Sequence, residues 1–191
     1  MSNALPKRRR TVLWVMLAVT IAPVAASYLI YFFWPPSRTV NYGELIEPRP
    51  LPDARLALAD GTPFRLSSLR GKWILVTVDS AACDAYCEKK LYYMRQVRLA
   101  QGNEMERVER VLLINDDATL VPDKLATYAG TWLIRAGGSN ILGLFPAQGI
   151  RSAHIYLIDP LGNLMMRYPP EPDARRMIKD LKRLLKASRI G

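Results

Sequence analysis

Trp73-Ile-Leu-Val-Thr-Val-Asp-Ser-Ala-Ala-Cys-Asp-Ala-Tyr-Cys87 places a continuous apolar run, residues 73–78, directly before the chain's two cysteines. A short run rich in β-branched and aromatic residues reads as a buried strand. From Asp84 to about Ala100 the pattern reads as a helix. Tyr86, Leu91, Met94, Val97 and Leu99 form an imperfect apolar face over Glu88, Lys89, Lys90 and Arg95. Cys83 and Cys87 therefore straddle a strand-to-helix junction. Thiols at this spacing close a disulfide or share a soft metal ion, and both chemistries suit an oxidising compartment. With Cys83 in the loop and Cys87 in the first helical turn, both sulfurs gather near unpaired backbone N–H groups. The helix dipole there favours thiolate. Asp84 and Glu88 oppose that effect, while Lys89 and Lys90 partly compensate. A plain structural cross-link is the competing reading, but so short a loop constrains little unfolded chain.

Working outward, residues 55–58 and 62–65 flank the turn signal Ala59-Asp-Gly61 and read as two short strands. Val108–Ile114 is a second buried strand. Pro122 stands where a first helical turn accepts it, ahead of a helix over 123–129. Residues 132–134 read as a short strand and 140–145 as a short helix. Ile155–Ile158 is a third strand, which Asp159-Pro-Leu-Gly162 turns into residues 163–168. The last element, 173–188, is a helix with Asp173 as N-cap and Met177, Ile178, Leu181, Leu184 and Leu185 on one face. Strands alternating with helices, closed by a hairpin and a helix, indicate an α/β domain with a mixed central sheet.

The N-terminus sets the compartment. Lys7-Arg-Arg-Arg10 precedes an uncharged stretch over residues 11–34. Its length as a helix is roughly 36 Å, enough to cross a hydrocarbon core of about 30 Å. The positive-inside rule keeps residues 1–10 in the cytoplasm and exports the rest of the chain beyond the span. Pro23 is tolerated in such a span, and Tyr28, Tyr31 and Trp34 suit its outer interface. A cleaved signal peptide ending near Val24-Ala-Ala26 is the rival reading. It would leave a released chain starting on the apolar Tyr28-Leu-Ile-Tyr-Phe-Phe-Trp34, which favours the anchor. Residues 35–50, with Pro35-Pro36 and Glu47-Pro-Arg-Pro-Leu-Pro52, read as a stiff linker. Residues 51–191 suffice for one domain with its own core.

The formal net charge is +10. Lys7-Arg-Arg-Arg10 accounts for four of those charges, and much of the remainder lies in the C-terminal segment. No recognised nucleic-acid motif accompanies the charge, which excludes that class. In an exported domain a basic balance points to anionic headgroups or an acidic protein partner.

The residues now carry a resemblance. Ala59-Asp-Gly61, Phe64-Arg-Leu-Ser-Ser-Leu-Arg-Gly-Lys72, the apolar strand and a cysteine site opening a helix resemble the thioredoxin-like superfamily. Within it, the Cys-x-x-x-Cys spacing is similar to the Sco (SenC-like) family of membrane-anchored cytochrome oxidase assembly proteins. Leu113-Ile-Asn-Asp-Asp117, Pro122-Asp-Lys-Leu-Ala-Thr-Tyr128 and Tyr156-Leu-Ile-Asp-Pro-Leu-Gly162 extend the likeness to the final helix. The resemblance implies a thioredoxin-like fold with a single transmembrane helix. It implies an assembly factor for respiratory cytochrome c oxidase, acting through Cys83 and Cys87 by thiol–disulfide exchange or copper delivery. The implied partner is an oxidase subunit or another assembly factor, and the implied place is the bacterial inner membrane with the domain in the periplasm.

The resemblance further implies copper held by Cys83, Cys87 and a histidine just before the late strand. Aligned through Tyr156-Leu-Ile-Asp-Pro, Arg151 stands at that histidine's position. The chain's one histidine, His154, is the remaining candidate ligand. In an extended segment positions 151 and 154 face opposite ways, so His154 is expected to project away from the cysteines. Glu88 replaces the proline that commonly follows the second cysteine in the family. A general thiol–disulfide oxidoreductase is the alternative, although the Trp-Cys-Gly-Pro-Cys context is absent and Ala153-His154 supplies no proline before the late strand. A non-catalytic Sco-like scaffold is a third reading, supported by Arg151. Met94, Met105, Met165, Met166 and Met177 form no copper motif and are expected to pack. Asp116 and Asp117 resemble the family's acidic loop. Arg175, Arg176, Lys179, Lys182, Arg183 and Lys186 give the last helix a basic face, either solvated or set against a membrane surface.

Overall fold

The structure is a computed structural model that describes residues 7–33, 41–120, 126–147, 149–188 and 190. It divides into two units, Met1–Val40 and Asn41–Gly191. The first contains one helix, α1 (Lys7–Phe33), with Pro23 inside it. An 18-residue window between Arg10 and Phe33 has a mean hydropathy of 2.0, and its residues are exposed. The helix is thus long and apolar enough to cross a membrane. Thr20 places its hydroxyl on the Met16 and Leu17 carbonyls of the same helix, so that group needs no water. Trp34, most of the basic N-terminal segment and the first part of the expected linker lie outside the described residues.

The second unit is built on an eight-stranded mixed sheet. Its strands are β1 (Glu44–Pro50), β2 (Leu56–Leu58), β3 (Pro63–Phe64), β4 (Trp73–Asp79), β5 (Val108–Ile114), β6 (Thr131–Arg135), β7 (Ile155–Ile158) and β8 (Asn163–Arg167). Their order across the sheet is β1-β8-β7-β4-β5-β6-β2-β3. β4, β5 and β6 run parallel, and the other pairs are antiparallel. Two long helices accompany the sheet, α2 (Ala85–Leu99) and α3 (Ala174–Ala187). Each is N-capped by an aspartate: Asp84 accepts from the Cys87 N–H at 2.8 Å and Asp173 from the Arg175 N–H at 2.8 Å.

The run 73–78 is continuous because β4 is covered on both sides. Leu75 points into a layer made by Leu91, Met94 and Val97 of α2 and by Met177, Leu181 and Leu185 of α3. Ile74, Val76 and Val78 point into the opposite layer, closed by Leu66, Leu69, Ile141 and Phe145. The last two come from a short 3-10 segment, Asn140–Leu144, and its cap, where the sequence predicts a short helix. Of the helix expected over 123–129, residues 123–125 lie outside the described residues.

Residues 44–50, read from their prolines as linker, are instead an edge strand paired with β8. An edge strand needs donors on one side only, and the register of β1 shifts between Leu45 and Arg49, where Pro48 falls. The segment just before β1 is fastened as well. The Asp180 carboxylate of α3 accepts from the Tyr42 N–H at 2.7 Å and the Gly43 N–H at 2.8 Å. A Cβ on Gly43 would lie 2.4 Å from the Met166 sulfur, so only glycine allows this approach without a shift.

Candidate redox site

β4 delivers the chain to its C-terminal end at Asp79, and a tight turn then leads into α2. The Cys83 N–H donates to the Ser80 carbonyl at 3.1 Å, closing that turn. The Ala81 N–H donates to the Asp116 carboxylate at 3.0 Å, which pins the turn to the loop after β5. The Ala81 N–H, then the Ser80 hydroxyl, hold the Asp116 carboxyl below the usual aspartate range. Asp116 is therefore a fastener of the cysteine turn, while Asp117 is exposed. Cys83 itself has φ +40°, a left-handed conformation uncommon for a residue with a Cβ.

That conformation turns Cys83 back toward the first turn of α2, where it forms a disulfide with Cys87 across a Cα–Cα distance of 5.1 Å. Cys83 is 1% exposed and Cys87 0%. Ala82, Asp84 and Ala85 form the exposed surface beside them. Cys87 sits three residues after the N-cap, with its N–H held by Asp84. A thiolate formed here meets the positive end of the helix, while the Asp84 charge opposes it.

Lys90, expected on the polar face of α2, is 0% exposed. It lies one turn after Cys87 on the stripe shared by Leu91, Met94 and Val97, and the 3.6-residue period alone contains that placement. Its ammonium donates to Asp79 Oδ2 at 2.5 Å and to the Ser152 carbonyl, and stands over the Tyr86 ring, 5.1 Å from its centroid. Burial pushes the Lys90 pKa down, and the Asp79 carboxylate pulls it back up. Tyr86, which lies between the cysteines, donates its hydroxyl to the Ala153 carbonyl at 2.9 Å and accepts from the Glu171 N–H at 3.0 Å. Lys90 and Tyr86 together fix the first turns of α2 to the segment just before β7. Sequence reasoning found neither tie.

The structure brings Cys83 and Cys87 together and leaves His154 apart from them. Arg151 and the two residues after it form a 3-10 turn rather than an extended segment, so the alternation argument between 151 and 154 does not apply there. The side taken by His154 is set by β7. Ile155 and Leu157 enter the layer that holds the cysteines, and Tyr156 and Ile158 enter the other. The His154 ring lies 6.0 Å from that of Tyr156, at the two-residue spacing of one strand face. Its Nδ1 is 2.9 Å from the Tyr168 carbonyl, and its buried Nε2 has no hydrogen-bond partner among the described residues. Arg151 donates to the Phe145 carbonyl at 3.3 Å and, with Val78, Asn115, Leu142 and Ser152, lines a cavity of about 420 Å³.

This donor set does not fit the three-ligand copper site that the resemblance implies. Two sulfurs are bonded to each other and the histidine faces the other layer. Among the described residues no group of three or more His, Cys, Asp or Glu side chains is placed to hold a metal ion. After reduction, the two sulfurs are the donors this turn offers.

Similar folds occur among known structures. Copper-bound ScoI of Bradyrhizobium japonicum is 19% identical and superposes with a TM-score of 0.54 over 71% of this chain and 99% of its own. Copper-bound yeast Sco1 is 16% identical, with a TM-score of 0.59 over 79% of this chain and 96% of its own. The thioredoxin domain of a thiol-disulfide oxidoreductase from Bacteroides vulgatus is 17% identical, with a TM-score of 0.55 over 74% and 99%. These likenesses establish a thioredoxin-like fold. No curated protein matches the chain. Residues 73–188 match the family described as transmembrane-like, thioredoxin-like, C-terminal domain, and the chain belongs to that family.

Proposed function

We propose that this chain is a membrane-anchored, Sco-like thiol–disulfide exchange factor that serves the maturation of respiratory cytochrome c oxidase. The observation that carries the reading is the Cys83–Cys87 disulfide at the N-terminus of α2, in a turn held by Asp116 and backed by Lys90. In the reduced protein, a Cys83 thiolate attacks a partner disulfide, forms a mixed disulfide and releases one partner thiolate. Cys87 then attacks Cys83, releasing the second partner thiolate and restoring the internal disulfide. Two electrons pass to the partner, which takes up protons as its thiols form. Cys83 takes the outer role because its neighbours Ala82 and Asp84 are exposed, whereas Cys87 lies inside the helix turn. Since neither sulfur is open to an incoming thiolate, exchange requires the 80–84 turn to move.

Copper as cargo is the second reading, favoured by the Cys-x-x-x-Cys spacing and by the copper-bound proteins that share this fold. α1 serves as the single-pass anchor, with the basic N-terminal segment in the cytoplasm and the domain in the bacterial periplasm. The partner is an oxidase subunit or another assembly factor.

The test is complementation. In a strain lacking this chain, oxidase activity should fall, and re-expression should restore it. A Cys83→Ser/Cys87→Ser variant that accumulates normally should not. Full restoration by that variant sinks the thiol reading. A Cys87→Ser variant should accumulate a mixed disulfide through Cys83, and its partner identifies the substrate.

A further inference from the structure

α3 carries Arg175, Arg176, Lys179, Lys182, Arg183 and Lys186, and all six are exposed. At 100° per residue these positions fall within about 120° of the helix circumference and span about 17 Å of its length. The opposite arc is buried through Met177, Leu181 and Leu185. The acid inside α3, Asp180, is buried on the Tyr42 and Gly43 N–H groups, although Arg183 reaches it at 4.0 Å. The result is a cationic stripe on a helix whose apolar side is already occupied by the core, so it has no apolar face left to insert.

A second, independent observation concerns where the chain enters the domain. The fastened segment at Tyr42 and Gly43 lies against α3 itself, with Arg176 stacked over the Tyr42 ring at 4.0 Å. Residues 34–41 separate Phe33 at the end of α1 from Tyr42. That length spans at most roughly 30 Å when extended. A tether of this reach gives α3 a high effective concentration at any surface holding α1.

We infer that the α3 stripe docks on the anionic phospholipid headgroups of the bilayer that anchors the chain. The occupant is lipid rather than an acidic protein, because the tether supplies lipid phosphates at short range without a separate binding event. The contact is electrostatic and shallow, and it holds the domain by its α3 side. This rests on the anchor reading of α1.

The full chain is reconstituted in nanodiscs of phosphatidylcholine, or of phosphatidylcholine with an equal part of phosphatidylglycerol. Acetylation rates of Lys179, Lys182 and Lys186 are then read by peptide mass spectrometry against Lys72. On the anionic discs the stripe lysines should react about fivefold more slowly than on neutral discs, as expected for cations held near anionic headgroups. Added salt should restore the rate. Arg175→Gln with Lys182→Gln should reduce the protection at Lys179 and Lys186 and leave Lys72 unchanged. Equal rates on the two discs, with the chain incorporated, overturn the docking and leave the anchor standing. A chain that does not co-elute with either disc overturns the anchor and this inference with it.

Discussion

α2 and α3 share one core layer, and each begins on an aspartate cap and buries a single charged side chain, yet they satisfy that charge in opposite ways. α3 buries an anion, Asp180, and meets it with two neutral backbone N–H groups. α2 buries a cation, Lys90, and meets it with a formal charge, Asp79, and a carbonyl, Ser152. Backbone donors cannot be titrated or withdrawn without unfolding the segment, so Asp180 is a static clamp. An ion pair links two side chains from separate elements, here the end of β4 and the cysteine helix. Arg183 approaches Asp180 only to 4.0 Å, whereas Lys90 and Asp79 meet at 2.5 Å, so the charge beneath the cysteine turn is the one whose balance depends chiefly on a second ionisable group.

The largest expected effect comes from breaking that pair on one side. Lys90→Met should cost about 3 kcal/mol in urea unfolding of the oxidised protein, because it strands a nearly buried carboxylate. Adding Asp79→Asn should recover most of the loss. A double variant as unstable as the single one would show that Lys90 acts through packing rather than through its charge. Next, Asp180→Ala should cost about 2 kcal/mol, as expected for losing two hydrogen bonds to a charged group, with faster amide exchange at Tyr42 and Gly43. Reducing the disulfide should also cost about 2 kcal/mol from loop entropy, since the loop it closes is so short. Asp84→Ala should cost about 1 kcal/mol as a lost cap. In the reduced protein, iodoacetamide titration of that variant should show a lower cysteine pKa, because an opposing charge is gone.

The smallest effect is the acid limb of Asp116. Its folded pKa is depressed by the Ala81 N–H and the Ser80 hydroxyl. Its contribution is therefore complete above the unfolded aspartate value of about 4 and disappears as pH falls through the lower folded value. Asp116→Asn should flatten unfolding free energy against pH in that acid window while leaving the slope above it unchanged.

What was legible in the sequence was what short-range pattern encodes. The continuous run 73–78 announced a buried strand, and the apolar spacing of 173–188 gave α3 with its cap. The cysteine pair announced a strand-to-helix turn, which the structure confirms. The missed features depend on partners far along the chain. The helical period places Lys90 on the buried stripe, but the groups that take its charge, Asp79 and Ser152, are 11 and 62 residues away in sequence. Residues 44–50 look like linker because their proline content is local, whereas their strand partner β8 arrives more than a hundred residues later. His154 was expected to face away from the cysteines on the premise of an extended 151–154 segment, whereas residues 151–153 form a 3-10 turn and its ring lies beside that of Tyr156.

The fastening of Tyr42 and Gly43 to Asp180 also has a mechanical meaning. Under the proposed anchoring through α1, a pull entering the domain at Tyr42 would meet two hydrogen bonds on α3 first and then the β1–β8 ladder at the margin of the sheet. β4, which carries the cysteine turn, lies behind β8 and β7 from that margin. Under that proposal the arrangement is strain relief on a cable: a pull would fray the outer strand before it reached the cysteine turn.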